Sequence, residues 1–571
     1  MADLGATKES VRLCTWIVRD AFGEIVARVA STLLNRGQSA SFSIQRLAGL
    51  PRQQVLKALV ILTQHNLILT NGASFWDTGD EEKYEFNLPE CLLRLRWARI
   101  LSIAEQRFGP VGVDVIRQIM VYGKLKAPEI AIASGNPDPL YHTQVEEMVI
   151  KLLREGFLQP TSLEMAIAYE ARFDRKFSAI KTSKRNELGG GAMAFTARDL
   201  DVLRDDTARN LRLEDEDLRD TGRALIKSER PGYKKGKMRG DDRYQWSIRP
   251  NVALRLNNDR FGVVIRDEVI VKAASDRWND AAAEVVRALL KAVFNEKSRL
   301  NNHASTQATA DEIEKNIPKG KVGLLQAGVS GFKSKVLADL IPIYLNTMSN
   351  VDNLDRESNP FLSLDPSGRA AFQVEFEAIA VKARANLLLD LVRGTLGGRG
   401  ARVLAAVAKA HHITEQQVRD CAMMPLREVR SLLAALQNQH LVELSEISKF
   451  PQAKRQFMTS TSEHHMWSID LPRAYNALLT NTYKVMGNIL QRQASERAKR
   501  DGALGREEFA IKRGQTRDAL STKDKEDLDE LDDVLRKLRL AEVRCEMTIF
   551  MIRDLPGWPS KLNKVAEEKE Y

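Results

Sequence analysis

The sequence predicts a mainly α-helical chain with small β-hairpins, and three observations carry that prediction. A helix-then-strand pattern recurs four times, a leucine-rich seam of period 3.5 follows the last copy, and only 6% of the 571 residues are aromatic against 43% hydrophobic. The helical part reads Pro51-Arg52-Gln53-Gln54-Val55-Leu56-Lys57-Ala58-Leu59 and runs through Leu62 to Asn66-Leu67-Ile68. It returns as Pro425-Leu426-Arg427-Glu428-Val429-Arg430-Ser431-Leu432-Leu433, through Leu436 to His440-Leu441-Val442. Val145, Met148, Val149, Leu152 and Gly156-Phe157-Leu158 repeat the spacing without the proline; Val336, Leu340 and Ile343 repeat it more weakly. Internal repeats of this kind decide a fold. They predict four tandem winged-helix domains followed by a C-terminal antiparallel coiled-coil hairpin.

Apolar residues at i, i+3, i+4 and i+7 bury one stripe of a helix, and a proline at the first position is pre-shaped for a helix start. Two shorter helical stretches precede each anchor valine: 22–35 and 43–49 in the first copy, 402–410 and 414–421 in the last. Thr414 and Gln417 have capping-box spacing. The strand part is Tyr84-Glu85-Phe86-Asn87-Leu88-Pro89, matched by Trp467-Ser468-Ile469-Asp470-Leu471-Pro472. Trp246-Ser247-Ile248 and Phe372-Gln373-Val374 fill the same slot in the second and third copies. Three helices and a hairpin make a helix-turn-helix with a wing. Anchor-to-strand intervals of 31, 38 and 40 residues fit that unit, whereas 103 in the second copy requires a long insertion in its wing.

Domain boundaries follow: winged helix 1 over 1–89, winged helix 2 over 90–250 with an insertion at 171–243, winged helix 3 over 251–376 and winged helix 4 over 377–470. The hairpin takes 471–555 and a tail takes 556–571. The insertion contains Gly189-Gly190-Gly191, the acidic run Glu214-Asp215-Glu216-Asp217 and the basic stretch from Lys227 to Arg239. Pro231, Gly232 and Gly236 deny that stretch a regular element, so it reads as a mobile basic loop, either DNA-binding or a solvated linker. In the hairpin, Tyr475, Leu478, Thr482, Val485 and Ile489 step by three and four. Leu528, Leu531, Leu535, Leu538, Glu542, Cys545, Ile549 and Ile552 continue the rhythm, with Glu542 interrupting the seam. Gly502, Gly505 and Gly514 break the polar stretch between them, which predicts that the chain turns back. The hairpin is bipolar, basic over 492–517 and acidic over 524–533.

Composition limits the function. A net charge of +10 and a pI near 9.2 point to an anionic partner. No apolar run is long enough to cross a bilayer, and the first residues lack a secretion signal, so no membrane association and an internal location are expected. Cys14, Cys91, Cys421 and Cys545 have no CxxC spacing, which speaks against a cysteine zinc site. The segments 319–322 and 328–334 resemble phosphate loops without satisfying GxxxxGK[ST]. The pairs His411-His412 and His464-His465 diverge rather than converge on a metal. No nucleophile elbow or framed carboxylate pair occurs. Catalytic residues, metal and cofactor are therefore all expected to be none.

The DNA-contact candidates are the basic residues of the later copies and of the insertion. A DNA-reading helix carries several Arg or Lys on its outer face. Copy one offers only Arg52 and Lys57, and copy two sets Lys151 and Arg154 beside Glu146, Glu147 and Glu155, so both read as protein-docking modules. Copy three offers Lys333 and Lys335; copy four offers Arg427 and Arg430, with Lys449, Lys454 and Arg455 on its wing. The insertion adds Lys234, Lys235, Lys237 and Arg239. Without Asn, Gln and Arg clusters that read base edges, contact is expected to be to phosphates.

Tandem winged helices, an insertion after the second reading helix and a C-terminal helical hairpin together resemble one family over nearly the whole chain, from Glu9 to Asp554. It is the large subunit of the initiation heterotrimer specific to RNA polymerase III, the third-largest subunit of that enzyme. Leu33-Leu34-Asn35-Arg36-Gly37 and the segment from Pro51 to Leu69 resemble its opening helix-turn-helix; the region from Val145 to Val374 resembles its centre. The resemblance implies a nuclear, non-catalytic polymerase subunit seated on the clamp of the largest subunit. It further implies two smaller heterotrimer subunits and transcription factor IIIB as partners, with a part in opening promoter DNA. The large subunit of the general factor TFIIE is also similar in fold but carries a zinc ribbon, for which this chain has no cysteine set. Two other classes fit the residues: a stand-alone winged-helix DNA-binding or chromatin factor, and a winged-helix protein scaffold.

Overall fold

The computed structural model describes residues 7–76, 81–135, 138–187, 195–229, 244–295, 298–328, 336–349, 360–364, 371–410, 412–448 and 463–557. The chain is mainly helical with small antiparallel sheets, and its contacts divide it into two compact units. One spans Val11–Gly262; the other joins Met1–Ser10 to Val263–Tyr571.

The first unit opens with α1 (Lys8–Phe22) and α2 (Glu24–Arg36), then β1 (Ser39–Ala40), α3 (Ser41–Ala48) and α4 (Arg52–Gln64). β2 (Ile68–Thr70) and β3 (Lys83–Phe86) complete a three-stranded sheet of order β1-β3-β2. Val55, Ala58, Leu59 and Leu62 form the buried stripe of α4. The same order follows in α5 (Trp97–Tyr122), β4 (Leu125–Lys126), α6 (Ala127–Ala133), α7 (Pro139–Arg154) and β5 (Leu158–Pro160). Then come α8 (Tyr169–Glu187), α9 (Ala197–Arg219), β6 (Leu225–Glu229), β7 (Tyr244–Ile248) and β8 (Ala253–Leu256).

Here the structure corrects the sequence reading. Trp246-Ser247-Ile248 does not fill the wing slot: β7 pairs with β6, Lys227 facing Trp246. The slot belongs to β8, which lies between β4 and β5. The true signal is the asparagine after the strand. Asn87 follows β3, donates its backbone N–H to Leu67 O at 2.8 Å and its side-chain amide to Asn66 O. Asn257 follows β8 and makes the same two bonds, to Phe157 O at 2.9 Å and Gly156 O at 2.8 Å. Nor is Lys227 in a loop, because Lys227–Glu229 is the end of β6. The rest of the insertion that is described forms the helices α8 and α9. Arg172 bonds Asp215 at 2.7 Å and Lys176 meets Glu214, so the acidic run lies along α8. A Thr196–Asp199 capping box starts α9.

In the other unit, α10 (Asn258–Arg277), which begins at the end of the first, leads to α11 (Asp280–Val293), β9 (Ala308–Thr309), α12 (Ala310–Lys315) and α13 (Leu337–Ser349). β10 (Leu362–Leu364) and β11 (Ala371–Val374) close a sheet of order β10-β11-β9. Val336, expected as an anchor, precedes α13 and is exposed; Leu340 is buried as expected, Ile343 is half-buried, and Ile341, Tyr344, Leu345 and Met348 complete the buried face. The next run is α14 (Phe376–Lys409), α15 (Glu415–Ala422), α16 (Leu426–Asn438), β12 (Glu443–Ser448) and β13 (Glu463–Ser468). The Thr414–Gln417 capping box is present, and Ile413 bridges Trp467 as a short third strand.

Last come α17 (Leu471–Lys499), α18 (Asp501–Lys512) and α19 (Thr522–Ile549). α17 and α19 pack antiparallel within the chain: Gln493 donates to Glu542 at 2.9 Å, and Arg500, just after α17, pairs with Glu530 at 2.9 Å, while Arg506 on α18 pairs with Asp524 at 2.7 Å. Two details depart from the sequence reading. Val485 is exposed, and Met486 and Leu490 take the buried positions. Gly502 and Gly505 lie inside α18, leaving Gly514, at φ +73°, as the break.

Candidate nucleic-acid interface

Of the eleven predicted DNA-contact residues, only Arg427 and Arg430 are among the described residues. Lys234, Lys235, Lys237, Arg239, Lys333, Lys335, Lys449, Lys454 and Arg455 lie outside them. Both described arginines stand at the start of α16, where Pro425 fixes the entry and Val429 is fully buried. Arg430 points outward but is held at 2.8 Å by Glu415 on α15. Glu428 is likewise taken by Arg399 at 2.9 Å. Arg427 is exposed and pairs with no carboxylate among the described residues, so it is the better phosphate ligand of the two. Strands β12 and β13 carry Glu443, Glu446 and Glu463 in their sequence, and Arg473 pairs with Glu443. The positive charge of this wing therefore lies wholly in residues 449–455 of its connection.

A second basic group was not legible in the sequence. The Lys227 ammonium sits 5.2 Å from the Trp246 ring centre, and the Arg154 guanidinium 5.3 Å from the same ring. Such cation–π contacts gather charge on an aromatic platform. Three elements contribute to it, and no local spacing links residues 154, 227 and 246. On α8, Lys181 and Arg185 are exposed toward its C-terminal end. Its Tyr169, Phe173 and Phe177 form a ladder with ring centres 6.1 and 6.0 Å apart.

Other basic residues are committed to structure. Lys124 donates to Thr63 O at 2.8 Å, and Gln64 donates to Lys124 O at 2.6 Å, which ties the end of α4 to the turn after α5. Burial, with Arg255 nearby, lowers the Lys124 pKa to about 8 against the opposing pull of Glu90. Burial, then Arg94 and Lys124, lowers His65 to about 4. Glu90 accepts from Asn258 at 2.9 Å, and burial raises its pKa despite Arg255. Arg94 stacks on Phe22 and Trp97, at 4.6 and 4.2 Å. These side chains hold a buried polar joint and are poorly placed for phosphate.

Arg384 is the most deeply committed cation. Its guanidinium donates to the carbonyls of Met551, Ile552, Leu555, Pro556 and Gly557. It thereby fixes the exit of the C-terminal hairpin against α14. Among the described residues, no group of three His, Cys, Asp or Glu side chains could hold a metal ion, and no helix is long and apolar enough to cross a membrane.

Comparison with known proteins gives this arrangement a family. Residues 12–69 match the RNA polymerase III subunit RPC82 helix-turn-helix domain, 147–326 match RNA polymerase III subunit RPC82, and 388–469 match the POLR3C C-terminal winged-helix domain. The DNA-directed RNA polymerase III subunit RPC3 of Homo sapiens is 22% identical, with 96% of this chain and 98% of that protein covered. The subunit of the same name from Danio rerio is 22% identical over 96% and 98%. Subunit RPC-3 of Coccidioides immitis is 21% identical over 95% and 99%. The three matched segments and these near end-to-end alignments together place the chain in the RPC82 (RPC3) family of RNA polymerase III subunits.

Proposed function

We propose that this chain is a non-catalytic, nuclear subunit of DNA-directed RNA polymerase III, acting in the heterotrimer that supports initiation at tRNA, 5S rRNA and other small-RNA genes. The observation that carries the reading is coverage: 96% of the chain aligns with 98% of a protein named as that enzyme's subunit RPC3. A likeness confined to winged-helix segments would fit many DNA-binding proteins, whereas one that extends through the terminal helices fits a protein built for the same assembly. On this reading the chain consists of four tandem winged helices, the second extended from residue 250 to Leu256 so that it includes β8, and a coiled-coil hairpin. Two smaller heterotrimer subunits, the clamp of the largest subunit and transcription factor IIIB are its protein partners. Arg427 and the connection carrying Lys449, Lys454 and Arg455 touch DNA phosphates, as do Lys333, Lys335 and the 234–239 stretch, while Arg430 contributes through its pairing with Glu415.

Depletion and add-back test this role. Polymerase III stripped of the chain is expected to lose promoter-directed transcription of a tRNA gene and to keep elongating from a tailed template, with the purified chain restoring the first activity. Unimpaired promoter-directed transcription after depletion, or equal loss of both activities, would overturn the proposed role.

A further inference from the structure

The reading helix of the first copy presents apolar side chains to solvent. Val55, Ala58, Leu59 and Leu62 complete its inner face, yet Leu56, Val60 and Ile61 stand outside at 42, 68 and 38% exposure. Leu56 and Val60 are one helical turn apart and share a face. On α3, Phe42 is 69% exposed and Leu47 44%. Solitary exposed apolar residues need no explanation, but five on two consecutive helices of one small unit mark a surface that something covers.

The two helices that carry it have one sign of charge. From Ile25 to Trp76 the chain holds no Asp or Glu, while Arg46, Arg52 and Lys57 are exposed on α3 and α4. A reading helix that met a DNA groove would offer donors to base edges and phosphates, which leucine and valine cannot do. A second copy of the chain, docked about a twofold axis, would bring these arginines and lysines together, and like charges oppose such contact. An amphipathic helix fits both features, its apolar residues at i, i+3 or i+4 and i+7 meeting Leu56 and Val60, and its flanking carboxylates meeting these basic residues.

We propose that the outer face of α3 and α4 is the docking site for an acidic amphipathic helix of another protein. The inference rests on the reading of this chain as part of an assembly, and it assigns the first reading helix to a protein partner. The test uses the full chain, affinity-tagged and carrying the photocrosslinker p-benzoylphenylalanine in place of Val60, recovered with whatever assembly it enters. Irradiation should join it to a peptide of a different protein that is net negative and has apolar residues at helical spacing. A crosslink to DNA, to a second copy of this chain or to a basic segment would overturn the proposal. So would no crosslink, because the surface would then be open in the assembly. With the crosslinker kept at position 60, the pair Phe42→Glu and Leu56→Glu, both at solvent-exposed positions, should leave the unfolding transition unchanged and lower recovery of the crosslinked protein at least tenfold. Undiminished recovery would also overturn it. If polymerase III subunits co-purify but the crosslink is wrong, only this inference falls; if they do not, the proposed function falls first.

Discussion

At the residue scale, positive φ angles explain much of the repeat. Asn66, Gly156 and His440 each follow a reading helix at φ +59, +78 and +59°. The next residue's N–H then reaches back to the carbonyl five positions earlier: Leu67 to Leu62, Phe157 to Leu152, Leu441 to Leu436. This Schellman closure turns the chain into the strand and buries the following apolar residue. It is why an Asn, Gly or His stood before each apolar pair, and why that part of the repeat was legible. The glycines that open each unit were not. Gly23, Gly109 and Gly397 share φ of 71 to 85° and ψ near 180°, a conformation open almost only to glycine. Gly109 and Gly397 interrupt Trp97–Tyr122 and Phe376–Lys409 with a non-helical backbone, which side-chain spacing does not record. A Cβ at Gly397 would touch nothing within 4 Å, so its cost is backbone strain alone. Gly397→Ala is expected to destabilise the unit by about 1–3 kcal/mol. Gly394→Ala, inside the same helix, should stabilise it by about 0.5–1 kcal/mol. Denaturant unfolding of the two variants checks the signs, and equal effects would show that Gly397 is an ordinary helical residue.

At the scale of elements, the terminal hairpin shows how far periodicity reaches. Of the four leucines expected on the seam of α19, Leu528, Leu531 and Leu535 are buried and Leu538 is half-buried. The seam of α17 drifts because a straight helix repeats every 3.6 residues rather than 3.5. Burial passes from Leu478 and Thr482 to Met486, Leu490 and then the polar Gln493 and Glu496. Those last two give no apolar signal, yet Glu496 meets Arg492, Lys499 and Arg500, and Arg517 meets Glu507, Asp529 and Asp532. The Glu496 pairs lie within one arm, and the basic and acidic stretches evident in the sequence meet through Arg500–Glu530 and through Arg517 with Asp529 and Asp532. Leu531→Ala and Leu535→Ala are each expected to cost about 2–5 kcal/mol. Hydrogen exchange along α17 and α19 should rise in these variants while α15 and α16 stay protected. Because the arms meet within one chain, light scattering should give a monomer before and after substitution; a dimer abolished by the substitutions would make the seam intermolecular.

At the scale of the molecule, the recurring buried stripe was legible in α4, α7 and α16, and the insertion was not, because its order comes from charge. α8 and α9 have few apolar residues, and Arg172–Asp215, Lys176–Glu214 and the Arg204 guanidinium beside Phe177 supply contacts that no window of sequence displays. The candidate interface was legible only as positive charge. Local pairing then sorts it, with Arg430 engaged by Glu415, Lys124 and Arg384 in buried structure, and Arg427 left facing solvent. The central claim, membership of the RNA polymerase III assembly, is tested most directly by purifying the tagged full-length chain from nuclear extract at physiological salt. The predicted result is stoichiometric recovery with polymerase III subunits and RNA synthesis from a tRNA gene. Recovery of the chain alone, or within a different complex that has no such activity, would contradict it.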